Sequence, residues 1–213
     1  MKLPSILVAL LGAVAAQAQT TTFSTTVTTS KGEAVADAVV FLTAATPPAT
    51  APTAPSTPVV IAQSGQEYQP FVTPILVGTS VEFPNRDNVQ HHLYSVSPPK
   101  RFEKPLYASG SSEVVLFDKP GVVVLGCNIH DWMSAYVLVL ETPHFALTDA
   151  EGKAVVDNLP PGTYRAEVWH PRIRKNAARD VAIDNNPRSE TFAIDLRPDR
   201  RFRRAPVSDG PVY

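Results

Sequence analysis

Between Gly121 and Leu140 the chain reads GVVVLGCNIHDWMSAYVLVL. Two apolar runs rich in β-branched residues, Val122–Leu125 and Tyr136–Leu140, flank a short polar segment. Runs of this length and composition read as buried strands, so the segment between them is a loop at their shared end. That loop carries Cys127, His130 and Met133, which are the only cysteine and the only methionine besides Met1. A thiolate, an imidazole and a thioether spaced three residues apart are the donor types of a soft, redox-active metal, copper first.

The rest of the chain is of the same texture. Of 213 residues, 21 are proline and only 18% are charged, and Val, Thr and Phe recur in short runs. This composition predicts an all-β fold with proline-rich connections. No helical period persists. Strands are expected over 35–42, in pieces over 59–83, and over 91–96, 113–117, 154–156, 164–169, 181–183 and 191–196. Residues 98–110 are expected to form an irregular connection. A net charge of -1 argues against a bulk nucleic-acid partner.

Residues 1–18 read as a secretory signal: Lys2, an apolar stretch from Ile6 to Ala16 too short to span a bilayer, and the cleavage triplet Ala16-Gln17-Ala18. The expected address is periplasmic or secreted, with no integral membrane segment after cleavage. A single cysteine cannot form an internal disulfide, and a free thiol in an oxidising compartment is open to oxidation. A bound metal would protect it.

A site of this kind needs a second imidazole from another strand. Asn85-Arg86-Asp87-Asn88-Val89-Gln90-His91-His92 offers two candidates at the start of a strand, just after a polar turn. Sequence leaves His91 and His92 open. Zinc is the rival metal, and a methionine ligand disfavours it.

Cys127-x-x-His130-x-x-Met133 resembles the copper loop of the cupredoxins, with the short spacing of amicyanin. Asn85-x-Asp87-x-x-x-His91 resembles the segment that brings the first histidine in plastocyanin-like proteins. There Gln90 stands in place of the usual proline, and His92 in place of an asparagine that braces the site. The pieces HHLYSVSPPKRFE and FDKPGVVVLGCNIHDWM are similar to the plastocyanin-like domain of secreted bacterial methylamine-utilisation proteins. The resemblance implies a Greek-key β-sandwich over 59–141 and one type 1 copper held by His91, Cys127, His130 and Met133, with His92 the alternative to His91. It implies further that Asn85 restrains the ligand loops. His130 would present its ring edge as the route for electrons. Trp132 would either surround that edge as an apolar docking surface or pack down as a lid. Asp131, if exposed, would lower the potential, and Lys100-Arg101 would either steer a partner or form a solvated pair.

The flanks carry a second resemblance. Residues 24–40, with Thr148-Asp149-Ala150-Glu151-Gly152 and Leu159-Pro160-Pro161-Gly162-Thr163-Tyr164, resemble the two halves of a carboxypeptidase-regulatory-like, transthyretin-like β-sandwich. The expected organisation is an outer sandwich from residues 22–45 and 142–196, a proline-rich loop over 46–58, the cupredoxin inserted at 59–141, and an arginine-rich tail over 197–213. His144 and His170 are isolated and read as structural. No catalytic constellation is present, so no enzyme is expected. The expected role is single-electron transfer between redox protein partners by a monomer. The alternatives are a copper chaperone or storage protein, or a non-catalytic binding module.

Overall fold

The computed structural model describes residues 20–200. Residues 1–18, expected to be a secretory signal, and the tail beyond Arg200 lie outside the described residues. Among the described residues every regular element is a strand, as the composition predicts. In chain order these are β1 (Thr21–Thr29), β2 (Val39–Ala44), β3 (Val59–Val60), β4 (Ala62–Ser64), β5 (Glu67–Gln69), β6 (Val72–Leu76), β7 (Thr79–Pro84), β8 (His91–Ser95) and β9 (Phe102–Tyr107). They continue with β10 (Ser112–Phe117), β11 (Gly121–Gly126), β12 (Ser134–Leu140), β13 (Phe145–Leu147), β14 (Lys153–Leu159), β15 (Gly162–Trp169), β16 (Ala177–Ile183) and β17 (Arg188–Ile194). Among the described residues no helix is long and apolar enough to cross a membrane.

Strands from the two ends of the chain pair with each other. One sheet has the order β14-β1-β17, with β1 and β17 parallel in the register Val27↔Phe192. A second has the order β13-β2-β15-β16. Strand β1 reads TTFSTTVTT, and its burial alternates so that Phe23, Thr25 and Val27 face inward. This is the two-residue period of a half-buried strand, with β-branched threonines suited to the pleat. Phe23, Val27, Leu42, Leu159, Val168 and Phe192, from both sheets, share one core.

The middle of the chain builds a separate core between two other sheets. The order β10-β7-β3 supplies Val81, Phe83, Val115 and Phe117, and the order β6-β12-β11-β8-β9 supplies Ile75, Leu93, Val123, Leu125, Ala135 and Val137. The two runs read as buried strands are β11 and β12, antiparallel neighbours in the register Val123↔Val137. Between the two cores, Val39, Val72, Leu138 and Leu140 form a small apolar seam.

One expectation fails here. Within the segment taken as an irregular connection, Phe102–Tyr107 forms β9. It is the edge strand of its sheet, paired on one side only with β8. An edge tolerates Pro105, and its mixed burial lacks the apolar run that marked the interior strands. The strand expected from Val35 begins only at Val39, because Asp37 has a positive φ of 58° and turns the chain there.

Candidate metal centre

Two loops converge at one end of the central core. The first follows β7. Asn85 is buried, and its side chain shapes the loop. Its Nδ2 donates to the carbonyls of Val89 at 2.8 Å and Tyr107 at 3.2 Å, and its Oδ1 accepts from the Asp87 amide at 3.0 Å. The turn delivers His91 to the start of β8, where it is completely buried. The second loop leaves β11 at Gly126 and returns in β12. A Cβ on Gly126 would lie 2.7 Å from Cζ of Tyr94, so glycine lets the two strands close up beside Cys127. The loop is tightened by the Met133 amide, which donates to the His130 carbonyl at 2.9 Å.

Ligand atoms of His91, Cys127 and His130 all lie within 4.8 Å of one another. Cys127 Sγ is 3.8 Å from His130 Nδ1, and the His91 and His130 rings stand 4.9 Å apart, tilted by 57°. Cys127 is 5% exposed and Met133 2%, and both belong to the central core. His91 Nε2 sits 2.8 Å from Asp87 Oδ2, while its Nδ1 is buried with no hydrogen-bond partner among the described residues. A buried imidazole nitrogen left without a proton acceptor or donor is costly. It is the state expected of a nitrogen whose partner is a metal, and the thiolate and second imidazole beside it suit a soft one.

His92 is not part of this group. Its Nε2 lies 2.9 Å from Glu103 Oε1, on β9. The pairing of β8 with β9 is irregular between His91 and Leu93, and the His92 ring meets Glu103 while His91 joins the group with Cys127. Trp132 is half-buried. Its ring packs on His130 at 5.4 Å, and its indole N–H donates to the Gln66 carbonyl at 3.0 Å. Asp131 and Ile129 are exposed, and Lys100 is engaged with Asp118 at 3.0 Å. His170 is buried, and its Nδ1 accepts from the Arg172 amide at 3.1 Å. His144 lies edge-on against Tyr164 and is not part of the group with Cys127.

One contributor, Tyr68, was missed in the sequence, and a second, Asp87, stood in the motif before His91 without a role. Tyr68 comes from β5, and its hydroxyl lies 3.0 Å from the Gly126 carbonyl and 3.2 Å from that of His92, so one donor ties the strands before Cys127 and after His91. Burial pushes its phenol well above the ordinary value, so it remains a donor. Asp87 accepts from the amides of Gly65 at 2.6 Å and Gln66 at 2.8 Å as well as facing His91. Burial by itself would raise its carboxyl, but these amides and the imidazole outweigh it and hold the group below the usual carboxylate range. Four-residue spacing between Asp87 and His91 was the available signal. Nothing in the sequence pointed to Tyr68.

No protein-family model matches the chain, and no curated protein matches it. Among solved structures, the chain is similar to a copper-containing nitrite reductase from Thermus scotoductus SA-01, at 32% identity and a TM-score of 0.39 over 46% of this chain and 26% of that one. It is also similar to the oxidised state of a point mutant of amicyanin, at 20% identity and a TM-score of 0.37 over 39% of this chain and 82% of the other. A purple cupredoxin from Nitrosopumilus maritimus matches at 26% identity and a TM-score of 0.35, over 38% of this chain and 99% of its own. The match thus spans about a quarter of the nitrite reductase.

Proposed function

We propose that His91, Cys127 and His130, with Met133 as a weak fourth ligand, hold one copper ion in a type 1 site, and that the protein carries single electrons. The observation that supports this most is that ligand atoms of His91, Cys127 and His130 lie within 4.8 Å of one another, with His91 and Cys127 buried. Copper there would supply one-electron chemistry by alternating between its cuprous and cupric states. The protein's part is to hold the donors still. His91 and Cys127 enter from neighbouring strands, β8 and β11, and the backbone around them is tied by Tyr68. Donors fixed by a packed core rearrange little when the charge of the ion changes. The buried Met133 and Cys127 keep water from the interior side. His130 is only partly buried and gives the trio its outlet toward the surface, beside the exposed Ile129.

Four protein donors leave no open position for a substrate, which favours a carrier over an enzyme. The signal-like residues 1–18 favour a periplasmic or secreted protein with a redox protein as partner. The organisation that goes with this reading is a cupredoxin at 59–141 set into an outer sandwich of 22–45 and 142–196.

The test is a copper-loading spectrum. The cupric protein should show an intense blue or green thiolate-to-copper band that bleaches with ascorbate and returns on reoxidation. Cys127→Ser should abolish the band and retain no stoichiometric copper through dialysis. A colourless protein that holds only cuprous ion would point instead to a chaperone or storage role.

A further inference from the structure

Three segments distant in sequence meet behind His91. The hairpin joining β4 and β5 turns through Gly65 and Gln66, both with positive φ, 65° and 58°. Successive backbone amides in such a turn can converge on an anion. This turn seats the Asp87 carboxylate: the Gly65 amide donates to Oδ1 at 2.6 Å and the Gln66 amide to Oδ2 at 2.8 Å. Oδ2 also faces His91 Nε2 at 2.8 Å. The carbonyl of the same Gln66 accepts the indole N–H of Trp132, from the loop that carries Cys127 and His130. Gln66 is not glycine, and a left-handed conformation at such a residue is held only where its surroundings require it.

We propose that Asp87 is the positioning residue of the metal centre. Resting on the copper reading above, this assigns it two effects. Because Oδ2 can only accept, it fixes the proton of His91 on Nε2 and leaves Nδ1 as the lone-pair donor facing Cys127 and His130. A carboxylate on the remote nitrogen also makes the imidazole a stronger donor and places a negative charge, with a side chain only 13% exposed, one ring away from the ion. Both favour the cupric over the cuprous state and so lower the reduction potential. The Gly65–Gln66 seat keeps the carboxylate in place, and the Trp132 bond makes the two ligand loops share one anchor.

The first arm of the test needs neither metal nor mutation. Imidazole nitrogen NMR of the metal-free, full-length protein, above the histidine titration range, should show His91 protonated on Nε2. Protonation on Nδ1 would overturn the proposal. The second arm uses the copper-loaded protein. Asp87→Asn should shift the midpoint potential upward while the thiolate-to-copper band persists, and Asp87→Glu should move it back toward the wild-type value. Asp118→Asn, which removes an exposed carboxylate paired with Lys100, controls for net charge and should leave the potential unchanged. If Asp87→Asn moves the potential no further than Asp118→Asn, the assignment fails. If Asp87→Asn does not fold, the Glu variant and the NMR arm decide. If the wild-type protein binds no copper, the reading of the previous subsection falls, and the NMR arm alone still decides what Asp87 does to His91.

Discussion

The two cores of this molecule are made of the same material and differ in what they leave unsatisfied. The outer core, around Phe23 and Phe192, is closed by apolar side chains, and among the described residues Thr25 Oγ1 is its one buried side-chain atom without a hydrogen-bond partner. The central region buries His91 Nδ1, His92 Nδ1, Thr73 Oγ1 and Thr79 Oγ1 in that state. Each such group costs roughly 1–3 kcal/mol when nothing compensates. A fold that could have filled these positions with apolar residues, as the outer core does, has kept polar ones in the region whose core includes Cys127.

If that contrast is right, damage to the two cores should separate stability from metal binding. The largest expected effect is from Phe23→Ala. Phe23 is fully buried on β1, the middle strand of its sheet. Truncating it should cost about 3–5 kcal/mol, through lost apolar burial and the cavity left behind. Chemical denaturation should report the loss. Below the unfolding transition the copper spectrum of the variant should match the wild type. A changed band in Phe23→Ala would show that the outer core shapes the site, and the contrast would break.

A pair of tyrosines sharpens the comparison at a smaller scale. Tyr68 ties backbone carbonyls 24 and 58 residues away, in two strands that bear proposed ligands. Tyr164, in the outer core, donates only to Pro160 at 2.8 Å, four residues back. Tyr68→Phe leaves one buried and one partly buried carbonyl short of that donor and should cost about 1–2 kcal/mol. Tyr164→Phe breaks one local, partly buried bond and should cost about 0.5–1 kcal/mol. Denaturant midpoints of the two variants measure the difference. An equal or reversed cost would mean that the hydroxyl of Tyr68 is not a tie between the ligand strands.

Tyr68 also shows where reading from sequence stops. Cys127, His130 and Met133 were legible because they share one loop between two recognisable strands, so spacing alone brings them near. His91 was legible as a member of a pair with His92. Which of the two turns inward depends on strand register and on the acidic partners, Asp87 for one and Glu103 for the other. Glu103 lies on β9, whose exposed residues and Pro105 hid the strand itself. Strand β1 was legible only through the resemblance of residues 24–40 to half of a β-sandwich, because its partners β14 and β17 lie more than a hundred residues away. The Gly65–Gln66 seat joins segments brought together only by the folded sheets. Its conformation leaves a weak trace, a glycine before a polar residue, that many turns share.

The smallest expected effect is in the outer region and concerns pH. His144 follows β12, and burial lowers its pKa below the ordinary 6.5. The folded state therefore disfavours the protonated ring, while the unfolded chain takes the proton near 6.5. The stability associated with the neutral ring is fully present above the unfolded value. It is lost progressively as pH falls below 6.5 toward the folded value. The group is partly open to solvent, so the slope should be shallow. His144→Gln should flatten the fall in unfolding free energy of the metal-free protein across that window, and should leave the copper band unchanged, since His144 is not among the proposed ligands. A slope that persists in full in the variant would place the titration elsewhere. A shift in the band would mean that the link after β12 couples the two cores.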